Sequence, residues 1–202
     1  MLADLKIARK LSLLLILPMA TFLFLATIES IGRWKDIDEL RFVERSLIVS
    51  LSAGELIHEV QKERGYTAGF LGSKGKKFAV ELPEQIKKSD AVYKLFSATL
   101  ADANARESNV YGPIFSSATA KYAELSDTRS AAKDTRIDAL QAISAYGSCI
   151  NEFINALSGL NAQSHTALTS ILQLLHGKEI AGQERATLNA AFSAGMFSKQ
   201  LY

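Results

Sequence analysis

Residues 61–77 read QKERGYTAGFLGSKGKK. Upstream of this stretch Leu40, Val43, Leu47, Leu51, Ile57 and Val60 recur at spacings of three and four. That is the period of a helix with one apolar stripe, and it predicts a helix over 34–71. GSKGKK, 72–77, then stops it, because Gly72 and Gly75 accept positive φ and clustered lysines favour solvent. A helix of that length rises about 55 Å. Two glycines beside Arg64 weaken such a helix, so the stretch raises the question of what they make room for.

Outward from there the chain keeps the same period. Pro83 falls near the start of a second pattern with Ile86, Val92, Leu95, Phe96 and Leu100, where its missing N–H is tolerated. ADANARESNVYGP, 101–113, reads as a polar connection, and 116–133 as a third, alanine-rich helix with Tyr122 and Leu125. Asp134 or Thr135 in KDTRID is the expected N-cap of the longest segment, 137–176. Its stripe is Leu140, Ile143, Tyr146, Ile150, Phe153, Ile154, Leu157, Leu160, Leu168, Ile171 and Leu174. Gly177 is expected to cap or hinge it before a last helix from Glu179. No stretch alternates apolar and polar residues between turn signals, so the expected fold is all-α, an antiparallel up-and-down bundle.

The first thirty residues carry a separate signal. After Lys6, Arg9 and Lys10, LSLLLILPMATFLFLATI (11–28) is uncharged, and Glu29 ends it. At about 27 Å it approaches the roughly 30 Å hydrocarbon core of a bilayer. The expectation is a transmembrane signal anchor over 11–28, residues 1–10 cytoplasmic and the rest exported, with a cleaved secretory signal as the alternative.

Composition narrows the function. The 202 residues are 48% hydrophobic, and 23 basic against 21 acidic side chains give a net charge of +2 without a large one-signed field, which argues against nucleic acid as a partner. A single cysteine, Cys149, excludes an intrachain disulfide. FLGSKGKK fails as a phosphate loop: Phe70 stands at the first glycine, Lys77 at the Ser/Thr, and no strand precedes it. His58, His165 and His176 have no metal-ligand spacing, and no nucleophile elbow occurs. Neither an enzyme nor a cofactor is expected.

Two arginine stretches remain. Arg64 is followed by Gly65, Ala68 and Gly69, and in KEIAGQERATLNAAF (178–192) Arg185 is preceded by Ala181 and Gly182 on its own helix face. Both arginines overlie small residues. On these features alone two readings stand: an anion clamp, or arginines paired with carboxylates on a solvated surface with glycines serving helix packing.

QKERGYTAGFLGS and KEIAGQERATLNAAF, in this order, resemble the two signature regions of the bacterial nitrate- and nitrite-sensing domain, and EQIKKSDAVYKLF (84–96) and ELSDTRSAAKD (124–134) are similar to its weaker internal motifs. The resemblance runs from about residue 45 to the end. It implies an all-helical sensor that holds nitrate or nitrite between helices by arginines. Carried over by motif, the ligand residues are Arg64 and Arg185, with Lys62, Gly65, Gly182 and Lys178 around them. A guanidinium fork suits small planar anions, since it offers parallel N–H donors to two oxygens. The resemblance further implies a receptor in the bacterial inner membrane with residues 29–202 as its periplasmic domain. Two chains pair, and the signalling module lies outside this chain. The family continues past FSKQLY (197–202), so the domain is expected to be truncated here. A membrane-tethered scaffold for a protein partner, or a helical sensor for another small ligand, are the alternative functions.

Overall fold

The computed structural model describes residues 7–163 and 168–195, with side chains from 14 onward apart from 17 and 31–36. The described elements are all helical: α1 (Ile7–Gly72), α2 (Glu81–Arg106), α3 (Tyr111–Lys133), α4 (Ala139–Gln163) and α5 (Thr169–Ala194). The chain divides into two compact units, Met1–Phe42 and Val43–Tyr202. The second contains α2 to α5 and the part of α1 that carries the site.

Within that unit α1 buries Val49, Ala53, Leu56, Ile57, Val60, Ala68 and the polar Ser46 and Ser50. The predicted stripe holds at Ile57 and Val60 and fails at Leu40, Leu47 and Leu51, which are 68%, 40% and 59% exposed. The reason is local: the Ser50 hydroxyl donates to the Ser46 carbonyl at 2.6 Å and the Ser46 hydroxyl meets that of Tyr111 at 3.2 Å, so small polar residues are buried with their hydrogen bonds made. The turn after Gly72 forms as expected, with Gly75 N–H bonded to the Phe70 carbonyl at 2.8 Å and φ of +79° at Gly75.

Three boundaries differ from the sequence expectation. α3 begins at Tyr111, so Gly112 and Pro113 sit in its first turn, where proline costs no intrahelical bond, and the Asn104 side chain accepts the Gly112 N–H at 2.7 Å. The cap of α4 is Asp138 instead of Asp134 or Thr135: its carboxylate accepts the Gln141 N–H at 2.7 Å while the Gln141 side chain accepts the Asp138 N–H at 2.9 Å, a reciprocal capping box. The expected long segment 137–176 is two helices, α4 and α5, and Gly177 lies inside α5. Asn161 organises the break, accepting the Leu168 N–H at 2.9 Å and donating to the Thr169 hydroxyl at 3.2 Å. His165 and FSKQLY lie outside the described residues.

Short connections make successive helices antiparallel, and the first and fifth therefore run in the same direction. Gly54 faces Leu175, Arg64 faces Gly182, and Gly72 faces Ala190, ascending in both. Away from that seam, Phe96 of α2 packs edge-on against Phe115 of α3 and Phe153 of α4 at 5.4 and 5.5 Å between ring centroids. Tyr93 stacks on Tyr122 at 3.9 Å.

The expected membrane anchor, and with it the inner-membrane location and periplasmic placement, is corrected. Among the described residues no helix is long and apolar enough to cross a membrane. The side chains of residues 11–13 and 17 of the expected anchor lie outside those described.

Candidate functional site: a buried ion pair beside a cationic groove

The buried register of α1 runs Ala53, Ile57, Val60, Arg64, Ala68, and that of α5 runs Leu172, Leu175, Glu179, Gly182, Ala186, Ala190. Each stripe contains one charged residue, and the two meet. Arg64 is fully buried and its Nη1 and Nη2 reach the two oxygens of Glu179 at 2.5 and 3.2 Å. Glu179 also accepts from Gln61 at 2.8 Å and from Gln183 at 2.9 Å. Four donors therefore surround one planar carboxylate. The Nε of Arg64 is buried and makes no hydrogen bond among the described residues.

Gly182 has a definite role in this arrangement. A Cβ there would lie 2.8 Å from Arg64 Nη2 and 3.8 Å from Gln61, so the missing side chain is what lets the guanidinium close on α5. Gly147 of α4 lies on the other side, where a Cβ would stand 3.9 Å from Nη1.

The next residue on α1 makes a second buried pair. Glu63, 0% exposed, receives Nε and Nη2 of Arg129 from α3 at 2.8 and 2.9 Å and the Tyr146 hydroxyl of α4 at 2.6 Å. Arg129 Nη1 also reaches Asp90 of α2 at 2.9 Å. Burial works against the charged guanidinium, but the bonds to Glu63 raise its pKa above the usual value. Burial and the Glu63 charge likewise raise that of Tyr146.

Lys62, Gly65 and Arg185 do not touch this core. They line one open groove of about 630 Å³ between α1 and α5, together with Tyr66, Phe78 and Asn189. Asn189 ties the groove's floor by donating to the Gly65 carbonyl at 2.8 Å. Arg185 is exposed. Lys178 flanks the groove electrostatically: desolvation, then Arg185 and Lys62, lower its pKa. His58, one turn before Lys62, is lowered by burial and then by Lys178 and Lys62. Its Nδ1 is buried without a partner among the described residues. Glu184 lines the groove, and Glu59 pairs with Lys62 at its edge; burial acts to raise the pKa of Glu59, but hydrogen bonds from Lys62 and Gln85 keep it below the ordinary value. Lys62, Lys178 and Arg185 therefore lie within electrostatic reach of one another along this seam, interleaved with the carboxylates Glu59 and Glu184.

The six residues expected from the sequence thus fall into two adjoining sets: Arg64 with Gly182 inside, and Lys62, Gly65, Arg185 and Lys178 outside. Sequence reasoning missed Glu179, Gln61 and Gln183. Glu179 was legible as a carboxylate at a position where α5 otherwise places Leu, Gly and Ala.

The nitrate and nitrite sensing family matches residues 55–202, most of the chain and both arginine motifs. The chain belongs to that family. A nitrate regulatory protein from Klebsiella oxytoca is 28% identical over 151 residues, covering 72% of this chain and 38% of that protein. The structure of the NasR transcription antiterminator superposes with a TM-score of 0.75 at 24% identity, covering 87% of this chain and 50% of that one. The second likeness shows the shared helical fold. This nitrate and nitrite sensing chain spans half or less of the length of both relatives.

Proposed function

We propose that the chain binds nitrate or nitrite in the α1–α5 seam, through Arg64 and Arg185, with Lys62 and Lys178 adding positive charge and Gly65 and Gly182 leaving room for the anion. The observation that carries this reading is the convergence of Lys62, Lys178 and Arg185 beside the Arg64 fork, all within the residues that match the family. Binding draws the two helices together, and because α1 also holds Glu63, the change reaches Arg129 on α3. For this to be signalling, the anion must favour one helix arrangement over the other, since equal affinity shifts nothing. Two chains pair to transmit the shift, and a module outside these residues reads it.

The test must separate binding from folding, because Arg64 is also part of the core. Arg185 is exposed and offers the cleaner variant. In titration calorimetry, nitrate or nitrite gives saturable heat with the intact chain and loses at least about tenfold in affinity in Arg185→Ala, a change on the order of 1.4 kcal/mol. Sulfate and chloride serve as controls. Undiminished binding in that variant rejects the reading.

A further inference from the structure

The Glu179 carboxylate in its seat has the shape and charge of the proposed ligand. It is a planar oxyanion, held by both terminal nitrogens of Arg64 and by the side-chain amides of Gln61 and Gln183. We infer that Glu179 is a built-in stand-in for the anion: nitrate or nitrite binds by displacing it, and Gln61 and Gln183 are then ligand-contacting residues with Arg64. The inference rests on the function proposed above and specifies the seat.

Three observations lead to it. First, charge: Arg64 and Glu179 are both nearly or fully buried, so the pair is neutral as it stands, and a second anion on the same guanidinium would leave uncompensated negative charge in the interior. The carboxylate has to leave when the ligand enters. Second, donors: the seat presents four hydrogen bonds to two oxygens, while Arg64 Nε remains buried and unsatisfied beside them. The tethered carboxylate sits on the Nη1–Nη2 edge and leaves this donor unused; a free anion is able to shift toward the Nε–Nη2 edge and engage it, as Glu63 does on Arg129. Buried donors without partners are rare because each forfeits a hydrogen bond that water would have made. Third, a place to go: Lys62 and Arg185 line the adjoining open groove with Glu184, and Lys178, next to Glu179 in the chain, lies within electrostatic reach of both cations, so a released carboxylate finds solvent and opposite charge there. The amides matter for selectivity. Neutral donors add hydrogen bonds without adding charge, so the seat prefers a singly charged, planar anion to a doubly charged tetrahedral one such as sulfate.

Competition by an internal carboxylate makes the measured affinity weaker than the intrinsic affinity of the emptied seat, by the fraction of molecules in which Glu179 has moved aside. The experiment is nitrate titration of the full chain as parent, Glu179→Gln and Glu179→Asp. Glu179→Gln removes the competing charge. Glu179→Asp keeps the charge but withdraws it by one methylene, which guards against failure of the first variant to fold. Both are expected to bind nitrate at least about tenfold more tightly than the parent. They are also expected to gain more thermal stability on adding nitrate than the parent does, since tighter binding to the folded state stabilises it more at the same nitrate concentration. Gln61→Leu and Gln183→Leu are expected to weaken nitrate binding at least about fivefold. Parent-like affinity in whichever Glu179 variants fold overturns the stand-in while leaving nitrate binding in place. Absence of nitrate binding in parent and variants alike, all folded, rejects the proposed function and this inference with it. Binding in the Glu179 variants with none detectable in the parent supports both.

Discussion

Glu63 and Arg64 are neighbours on α1, face different partners, and each closes a two-point ion pair in the core: Glu63 with Arg129 of α3, Arg64 with Glu179 of α5. Adjacent helical residues do not share a face, so neither neutralises the other. One turn of α1 therefore fastens a helix on each side of it. A change at the α5 pair has a short mechanical route to α3, through a helix backbone that has little freedom to bend.

Breaking the α5 pair from one side leaves a buried charge alone. Arg64→Ala is expected to lower unfolding free energy by about 3–5 kcal/mol in urea or guanidinium titration, and the double variant Arg64→Leu with Glu179→Leu to recover most of that loss. Recovery of folding without recovery of nitrate binding distinguishes the ligand role of Arg64 from its structural one.

The α3 pair carries stability without any expected contact to ligand. Arg129→Ala should cost about 3–5 kcal/mol by leaving Glu63 buried and short of its counter-charge. Tyr146→Phe removes a 2.6 Å hydrogen bond to the same carboxylate and should cost about 1.5–3 kcal/mol. In both, the nitrate affinity of the folded fraction is expected to change by at least about twofold, since a binding change that reaches Arg129 is by linkage felt in return from Arg129. An unchanged affinity would show that the two pairs are uncoupled in binding.

The fold was legible where the apolar period is clean and hidden where polar residues do the packing. Ile57, Val60, Tyr146, Ile150 and Phe153 were placed in the core from spacing alone, and all are buried. Ser46 and Ser50 escaped, because periodicity scores a buried serine as surface. The break between α4 and α5 escaped because apolar residues continue in register on both sides of NAQSHT, and the side-chain bonds of Asn161 that organise it cannot be read from hydropathy. At the site, Gly182 was read as clearance for Arg185, whereas in the structure it makes room for the Arg64 guanidinium, and a Cβ on Gly65 beside Arg64 meets nothing within 4 Å. The clamp of two arginines was read without Glu179, because its partner lies 115 residues away and sequence spacing carries no sign of that pairing.

The two glycines beside the arginines make opposite predictions. A Cβ on Gly65 meets nothing within 4 Å, so Gly65→Ala should stabilise the helix by about 0.5–1 kcal/mol through its backbone entropy, while weakening anion binding by intruding on the groove. At Gly182 the added methyl meets Arg64 Nη2 at 2.8 Å, so Gly182→Ala should push the guanidinium off its seat and cost about 1–3 kcal/mol. Thermal melts and nitrate titration on the same two proteins check both signs.

Burial, with Glu63 nearby, pushes the Cys149 thiol up to about 12. The folded thiol is therefore neutral at pH 9 and should resist iodoacetamide until the protein unfolds. The linkage has a definite sign: the folded value lies above the unfolded one, near 9, so this group's contribution is complete below pH 9 and is lost as pH rises toward 12. Replacing it in Cys149→Ala should flatten that part of the stability profile, measured by denaturant titration at stepped pH.

His58 reports on the groove. Its pKa is lowered by burial and by Lys178 and Lys62, so an anion bound among those cations should raise it. Titration of the His58 ring by NMR, without and with saturating nitrate, is expected to show an upward shift; an unchanged titration would place the anion away from this face.

The central claim is that one anion sits on Arg64 with Arg185 beside it. A crystal structure of the chain grown at saturating nitrate tests it most directly. The account predicts a planar anion within hydrogen-bond distance of the Arg64 guanidinium, Arg185 turned in from the groove, and the Glu179 carboxylate moved out of its place. An Arg64–Glu179 pair left intact at saturating nitrate, with the anion elsewhere on the chain, would contradict it.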